Sequence, residues 1–310
     1  MLDASLVGSR VVVRYRRPER DADPPFSDVV GELVAFDEAT VTLHSRRGPV
    51  VLARSGIVAA KAVAADRRSV LELEGAAAAG WRPAEQLDLD GWLLRANDGW
   101  TSRGNSVLPL GTPQRPLPEL LATVQAFYAE RGLPAQFQIP LPARGLLDAD
   151  LAGRCWRASD SVLVLTKRLA PDEHGHGIDD QVFLEAEPTG RWQAGYHARD
   201  GRLPEAALGL LRRHETVLFA SLVDAGSTVA IARGAVDADW LGITLLEVDA
   251  DRRRHGLGRR LMAAVEAWGA THSASRAYLQ VTESNVDAIA MYRRLGYTEH
   301  HPYHYRIEPT

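Results

Sequence analysis

Arg253-Arg254-His255-Gly256-Leu257-Gly258-Arg259 joins two regular elements through a glycine-rich turn. It follows WLGITLLEVD (240–249), an apolar run that reads as a strand. It opens RRHGLGRRLMAAVEAWGATH (253–272), which continues as a helix. A Gly-rich turn between strand and helix is an anion cradle. The glycines let a ligand approach the backbone closely. Free amides at the helix N-terminus point at phosphate oxygens, and the helix dipole adds favourable potential. The arginines add charge-assisted hydrogen bonds. The third Gly of a dinucleotide fingerprint and the Gly-Lys-Ser/Thr ending of a Walker loop are both missing.

Outward from this turn, RAYLQVT (276–282) reads as a strand, NVDAIAMYRRLG (285–296) as a helix and YHYRI (303–307) as a last strand. Upstream, LPEAALGLLRRHE (203–215) is helical, and TVLFASLV (216–223) and STVAIARGAV (227–236) form a hairpin about DAG (224–226). PDEHGHGIDD (171–180) is a polar linker, and its His174 and His176 read as solvated rather than as metal ligands.

The order strand, helix, strand, short helix, strand occurs twice, at about 106–169 and about 240–307. AQFQIP (135–140) aligns with AYLQVT, and LLDADLAGRCW (146–156) with VDAIAMYRRLGY, setting Cys155-Trp156 against Gly296-Tyr297. The first copy begins with the helix 69–81 and strands at 92–96 and 106–110 about NDG (97–99), and includes the helix 117–132 and the strand 161–169. It has PQRPLPEL (113–120) in place of RRHGLGRRL, and Leu151 in place of Tyr292. Residues 1–65 carry five short β-branched runs (11–15, 29–36, 40–44, 49–54, 57–63) and predict a small barrel. A polar loop, 16–26, lies at its edge.

The 310 residues are 45% hydrophobic and 25% charged, enough for a real core, and the formal net charge of −4 argues against a nucleic-acid binder as a whole. Lys61 and Lys167 are the only lysines, so phosphate contacts fall to arginine or backbone amides. Cys155, the single cysteine, excludes an internal disulfide framework and a thiolate zinc site. No metal is expected. Neither a bilayer-spanning run nor a secretory signal is legible, so a cytoplasmic protein is expected.

Thirty residues beyond the cradle stand Leu279-Gln280-Val281-Thr282-Glu283-Ser284-Asn285, then Ala288, Ala290, Met291-Tyr292 and Leu295-Gly296-Tyr297. With these the chain resembles the GNAT superfamily of acyl-CoA N-acyltransferases over roughly 180–310, and 69–170 looks like a degenerate copy. The whole resembles an actinobacterial family joining an SH3-like module to a tandem GNAT body. The resemblance implies an α+β tandem GNAT fold, a mixed sheet flanked by helices, behind an all-β SH3-like barrel. Its parts are a barrel at 1–65, a degenerate half at 66–170, a linker at 171–180 and a catalytic domain at 181–310.

The resemblance also implies roles. The co-substrate is acetyl-CoA. Leu246, Glu247 and Val248 sit where strand backbone pairs with the pantetheine amides. Arg253, Arg254, His255, Gly256, Leu257, Gly258 and Arg259 match the pyrophosphate loop. Asn285 matches a pantetheine contact, and Tyr292 the tyrosine that protonates the departing thiolate. A backbone amide near Val248 is the candidate oxyanion donor. Gln280 stands where ribosomal-protein N-terminal acetyltransferases carry a glutamate base, and Gln cannot take a proton. Glu247 and Glu283 are the nearest alternatives, and Glu247 lies on the central strand.

The acceptor is a primary amine: a protein N-terminus, a lysine or a small amine. Trp192, Tyr196 and His197 are pocket candidates by location. A catalytically weak acetyl-CoA sensor or scaffold is the alternative. The barrel, with Arg10, Arg14, Arg16 and Arg17, is a candidate for contact with a protein tail or nucleic acid. No membrane partner is expected, and a monomer and a homodimer stay open.

Overall fold

In the computed structural model, which describes residues 6–17, 24–169, 179–197 and 203–309, the N-terminal runs form an antiparallel five-stranded sheet. Its strands are β1 (Arg10–Arg16), β2 (Phe26–Phe36), β3 (Thr40–Ser45), β4 (Gly48–Ala53) and β5 (Ile57–Ala62), in the order β4-β3-β2-β1-β5. Alternation decides the inner face: Val11, Val13, Leu33, Val41 and Leu43 are sealed from water. His174 and His176 lie outside the described residues.

The first copy then runs α1 (Arg67–Ala79), β6 (Glu85–Leu89), β7 (Trp92–Ala96), β8 (Val107–Pro109), α2 (Leu117–Ala129), β9 (Gln136–Pro140), α3 (Gly145–Gly153), β10 (Arg157–Ala158) and β11 (Val162–Arg168). The second runs β12 (Val182–Glu185), α4 (Gly190–Ala194), α5 (Glu205–Arg212), β13 (Val217–Asp224), β14 (Ser227–Asp237), β15 (Trp240–Val248), α6 (Leu257–Thr271), β16 (Arg276–Thr282), α7 (Val286–Arg294) and β17 (Thr298–Ile307).

Both copies build one twelve-stranded sheet, in the order β12-β13-β14-β15-β16-β11-β17-β9-β8-β7-β6, with β10 beside β17. The copies exchange their last strands. β8 and β9 pair in parallel, and β17 continues that sheet; β15 and β16 pair in parallel, and β11 continues theirs. The duplication shows at atomic level where α3 and α7 end. Cys155 (φ 64°) and Gly296 (φ 88°) both turn left-handed, Trp156 N donates to Leu151 O at 3.1 Å, and Tyr297 N to Tyr292 O at 3.0 Å.

Burial on α6 drives packing on one face of the second copy. Leu261, Met262 and Val265 are sealed there, each contributing about 1.5–3 kcal/mol. A buried polar seam joins the copies. Glu74 of α1 accepts from Gln138 Nε2 of β9 at 2.7 Å and lies 2.9 Å from His301 Nε2 of β17. The barrel docks through Arg168–Glu32 at 2.6 Å and Arg10–Asp66 at 3.0 Å. Arg10 and Arg14, which pairs with Asp28 at 2.8 Å, are thus engaged with carboxylates, while Arg16 and Arg17 are exposed. Among the described residues, no helix is long and apolar enough to cross a membrane.

Candidate functional site

The site begins where β15 and β16 part. Their parallel register runs from Trp240↔Arg276 to Ile243↔Leu279 and stops. Leu245, with φ 53°, forms a bulge in β15, where its register with β14 slips. The bulge inverts the alternation of side chains. Leu241 and Ile243 pack with the α6–α7 core before it; Leu246 and Val248 do so after it. Thr244, opposite Arg233, and Glu247, opposite Ile231, therefore share the other face.

At the mouth of the splay lies the loop before α6. Arg254 (φ 66°) and Gly256 (φ 78°) both take left-handed conformations, which turn successive N–H groups inward. A Cβ on Gly256 would meet nothing within 4 Å, so glycine serves conformation here and the space above it is open. A Cβ on Gly258 would touch Met291 Sδ at 3.4 Å and Val248 Cγ2 at 3.5 Å, so this glycine lets α6 settle onto its neighbours. The α6 N-terminus has no side-chain cap and no acid in its first turn. The Leu257, Gly258 and Arg259 amides precede its first helical bond, Arg260 N to Gly256 O at 3.1 Å.

The arginines divide by partner. Arg252 pairs with Asp224 at 2.9 Å and Arg260 with Asp179 at 2.7 Å, so both brace the loop. Arg253 Nε donates to Val248 O at 3.3 Å, and His255 Nδ1 to Arg253 O at 2.8 Å. Arg254 and Arg259 are exposed and have no carboxylate partner among the described residues. These cations, with the uncapped amides, suit a polyanion such as a pyrophosphate.

Asn285 caps α7, its Oδ1 accepting from Ala288 N at 3.3 Å. Tyr292 lies two turns on, packed in the α6–α7 core with its ring 6.0 Å from Tyr297. Burial pushes its phenol up to about 12. Burial alone acts on it, and among the described residues its hydroxyl has no hydrogen-bond partner.

The opposite face holds the other candidates. Glu247 Oε2 accepts from His197 N at 2.9 Å. Gln280 Oε1 accepts from Tyr303 Oη at 3.4 Å, while its Nε2 is sealed without a partner. Glu283 is exposed, at the far end of β16. Trp192 is a core residue rather than a pocket wall: it is sealed and donates from Nε1 to Ala232 O at 2.9 Å. Tyr196 is buried with it, and His197 is exposed. Sequence reasoning missed Trp81, Trp100, Arg103 and Arg233, which also face this side. The legible signal was an arginine inside the apolar strand STVAIARGAV, where charge is costly.

The matching corner of the first copy is unlike this. Pro116 stands at the N-cap of α2, Pro118 removes an amide, and Glu119 puts a negative charge in the first turn. Leu151, sealed from water, occupies the place of Tyr292.

Comparison with known proteins agrees with this anatomy. Residues 67–306 match the family model described as "Probable histone acetyltransferase Rv0428c C-terminal", and residues 5–61 match "Rv0428c N-terminal Sm-like domain". The probable histone acetyltransferase Rv0428c of Mycobacterium tuberculosis is 34% identical over 309 residues, covering 95% of this chain and 93% of that protein. A GCN5-related N-acetyltransferase from Kribbella flavida superposes with TM-score 0.60 at 19% identity, over 78% of this chain and 96% of that one. A tandem GNAT protein from the clavulanic acid biosynthesis pathway superposes with TM-score 0.52 at 14% identity, over 88% of this chain and 84% of that one. The chain is an acyltransferase and belongs to the Rv0428c family, in which an Sm-like barrel precedes a GNAT body, here a tandem one.

Proposed function

We propose that the chain transfers an acetyl group from acetyl-CoA to a primary amine by direct attack, at a single site in the second copy. The observation that carries this reading is the splay itself, with an uncapped, arginine-flanked helix end and Tyr292 on one face and Glu247 on the other. Bound acetyl-CoA supplies an acyl thioester activated for attack. Arg253 to Arg259 hold its pyrophosphate, and the backbone of Leu246 to Val248 and Asn285 hold its pantetheine arm. Glu247 takes the proton of the attacking amine. A backbone amide near Val248 meets the developing oxyanion. Tyr292 presents its phenol to the departing sulfur. Residues 181–310, with β11 built into their sheet, form the catalytic part, and 66–170 its partner half.

Release of free thiol from acetyl-CoA across an amine panel tests the reading. Binding without turnover of any amine would favour a sensor instead. Glu247→Gln keeps an oxygen for the His197 amide. It should lower turnover about 10²–10⁴-fold, the range for a positioned acid or base. Unchanged turnover removes Glu247 from the chemistry. Calorimetry should find one acetyl-CoA per chain, because the first copy lacks the amides and carries Glu119. A stoichiometry of two contradicts the single site.

A further inference from the structure

The end of the sheet remote from the splay carries a second cleft, between the barrel and the body. Its volume is about 990 Å³, with Val30 and Val50 lining it from the barrel and Leu73, Trp240 and His300 from the body. A hollow of about 600 Å³ over Arg67 and Leu110 adjoins it, and Arg46, Asp66 and Glu72 line both. Trp240 and Arg276 open β15 and β16, whereas the splay lies towards the other ends of these strands. Trp240 and Val248 are eight residues apart, roughly 25 Å along a strand, so the cleft is separate from the site proposed for acetyl-CoA.

Charge is unevenly distributed at the mouth of the cleft. Arg10, Arg46, Arg47, Arg67, Arg68 and Arg144 gather around the start of α1, and two carboxylates, Asp66 and Glu72, answer them. Asp66 is shared: Oδ2 lies 3.0 Å from Arg10 Nη1 and 2.9 Å from Arg46 Nη2, while Oδ1 accepts from the amides of Arg68 and Ser69. Glu72 pairs with Arg68 at 2.6 Å. Arg47, at the β3–β4 tip, and Arg67 are exposed and have no carboxylate partner among the described residues; Arg67 Nη2 donates to Thr112 Oγ1 at 3.0 Å. Arg144 donates to the carbonyls of Pro109, Leu110 and Gly111. Burial and then the Arg67 charge pull Arg144 down to about 10, still charged at neutral pH. Six guanidiniums against two carboxylates leave an excess of four positive charges, in a chain whose formal net charge is −4.

The other charged residues of the cleft pair off: Arg168 with Glu32, Arg276 with Asp239, Lys167 with Glu266, Asp28 with Arg14 and Glu299 with Arg293. The excess is therefore confined to the mouth. Guanidiniums without a carboxylate suit phosphate, which they grip through parallel N–H bonds. Protein walls on either side focus their field on the gap.

Behind the mouth the lining changes character. The Arg276 guanidinium lies 4.0 Å over the Trp240 ring and is fixed by Asp239 at 2.7 Å, a flat stack. His300 Nδ1 is 2.8 Å from His301 Nδ1, and burial, with that neighbour, holds His300 down to about 3, so it meets the cleft as a neutral ring. Val30, Val50 and Leu73 are apolar, and Ser27 offers a hydroxyl. The volume is that of a small-molecule site. A flat body carrying a multiply charged anion complements both parts.

We propose that this cleft binds a nucleoside polyphosphate, its phosphates held by Arg46, Arg47 and Arg67 at the mouth and its base and sugar in the cavity beside Trp240 and Arg276. The cationic excess sits at one mouth rather than along a stripe, which suits one mononucleotide rather than a nucleic-acid strand.

The test is calorimetric binding to the full chain of ATP, GTP and CTP, each beside its diphosphate, monophosphate and nucleoside, with inorganic tripolyphosphate and a single-stranded oligonucleotide for comparison. At least one nucleoside di- or triphosphate should bind ten-fold or more tighter than its monophosphate and than tripolyphosphate. Arg47→Gln combined with Arg67→Gln should weaken that binding ten-fold or more. Both side chains are exposed and lack a carboxylate, so the fold should survive, and denaturant unfolding checks it. Gly256→Glu, at the other end of the sheet, should leave nucleotide affinity unchanged. No nucleotide binding, tripolyphosphate binding as tightly as any nucleotide, the oligonucleotide binding tighter than every mononucleotide, or undiminished affinity in the double variant overturns the proposal. Loss of nucleotide binding in Gly256→Glu also overturns it, because the nucleotide would then sit in the loop before α6.

Discussion

Gly256→Glu should weaken acetyl-CoA binding by 10²-fold or more while the chain still folds. The open space over Gly256 lies at the uncapped end of α6, so a glutamate there enters the volume proposed for the pyrophosphate. Its charge opposes the ligand as well: two like charges 4 Å apart interact by about 1–4 kcal/mol between bulk water and a protein surface. The left-handed backbone, φ 78°, adds strain of about 1–2 kcal/mol for any L side chain. Gly256→Ala carries that strain without the bulk or the charge, so the difference between the two variants isolates the cradle. Gly258 is the poorer test. A methyl fits between Met291 and Val248, but a glutamate would be forced among buried groups and would threaten the fold itself. Calorimetry with acetyl-CoA, beside denaturant unfolding of the same variants, reads both effects. Equal affinity in Gly256→Glu and Gly256→Ala would remove the loop from the binding site.

Much of this arrangement is legible in the residues themselves. The barrel strands, the helices after each parallel strand and the duplication all follow from local periodicity, and RAYLQVT and WLLRA fall on strands with those bounds. What escaped has physical causes. EQLDL forms the edge strand β6 with four of its five residues exposed, so it carries no apolar signal. The Asp90-Gly91 turn that joins it to β7, with φ 53° and 83°, was the cue available. The last strand was expected at 303–307 but begins at Thr298, because His300, His301 and Pro302 mask its alternation.

The exchange of β11 and β17 depends on tertiary pairing that no local pattern encodes. A repeat in sequence suggests two closed sheets; the structure makes one. The candidate site divided likewise. The loop and Tyr292 carry motif spacing and stood out, whereas the face opposite α6 is assembled from the turn after α1, the loop after β7, β14 and β16. Its members are scattered over two hundred residues as single tryptophans and arginines. Only the lone Arg233 in an apolar strand hinted at them. The bulge at Leu245 is the hidden element that matters most, since without it Glu247 would face α6 rather than the opposite side.

Tyr292→Phe should keep acetyl-CoA affinity and lower turnover about 10²–10⁴-fold, equivalent to about 3–5 kcal/mol of transition-state stabilisation. The substitution removes one oxygen from a side chain already buried in the α6–α7 core, so packing against Tyr297 survives. What is lost is a hydroxyl with no protein partner among the described residues, the arrangement expected of a donor kept for a ligand. Its raised pKa sharpens the role. At about 12, the phenol stays protonated through the working range and is a reluctant full proton donor. In the proposed reaction it would therefore act first by hydrogen-bonding to sulfur as negative charge accumulates there. The sign of the shift makes a second prediction of the same variant. Burial disfavours phenolate, so Tyr292 keeps its proton until the pH approaches about 12, and any alkaline loss of activity below that belongs to another group. The pH–rate profiles of the wild-type chain and Tyr292→Phe should then run parallel, displaced by a constant factor. Equal turnover would make Tyr292 a packing residue. An alkaline limb present in the wild type and absent from Tyr292→Phe would show that the phenol ionises during the cycle, against the burial that surrounds it.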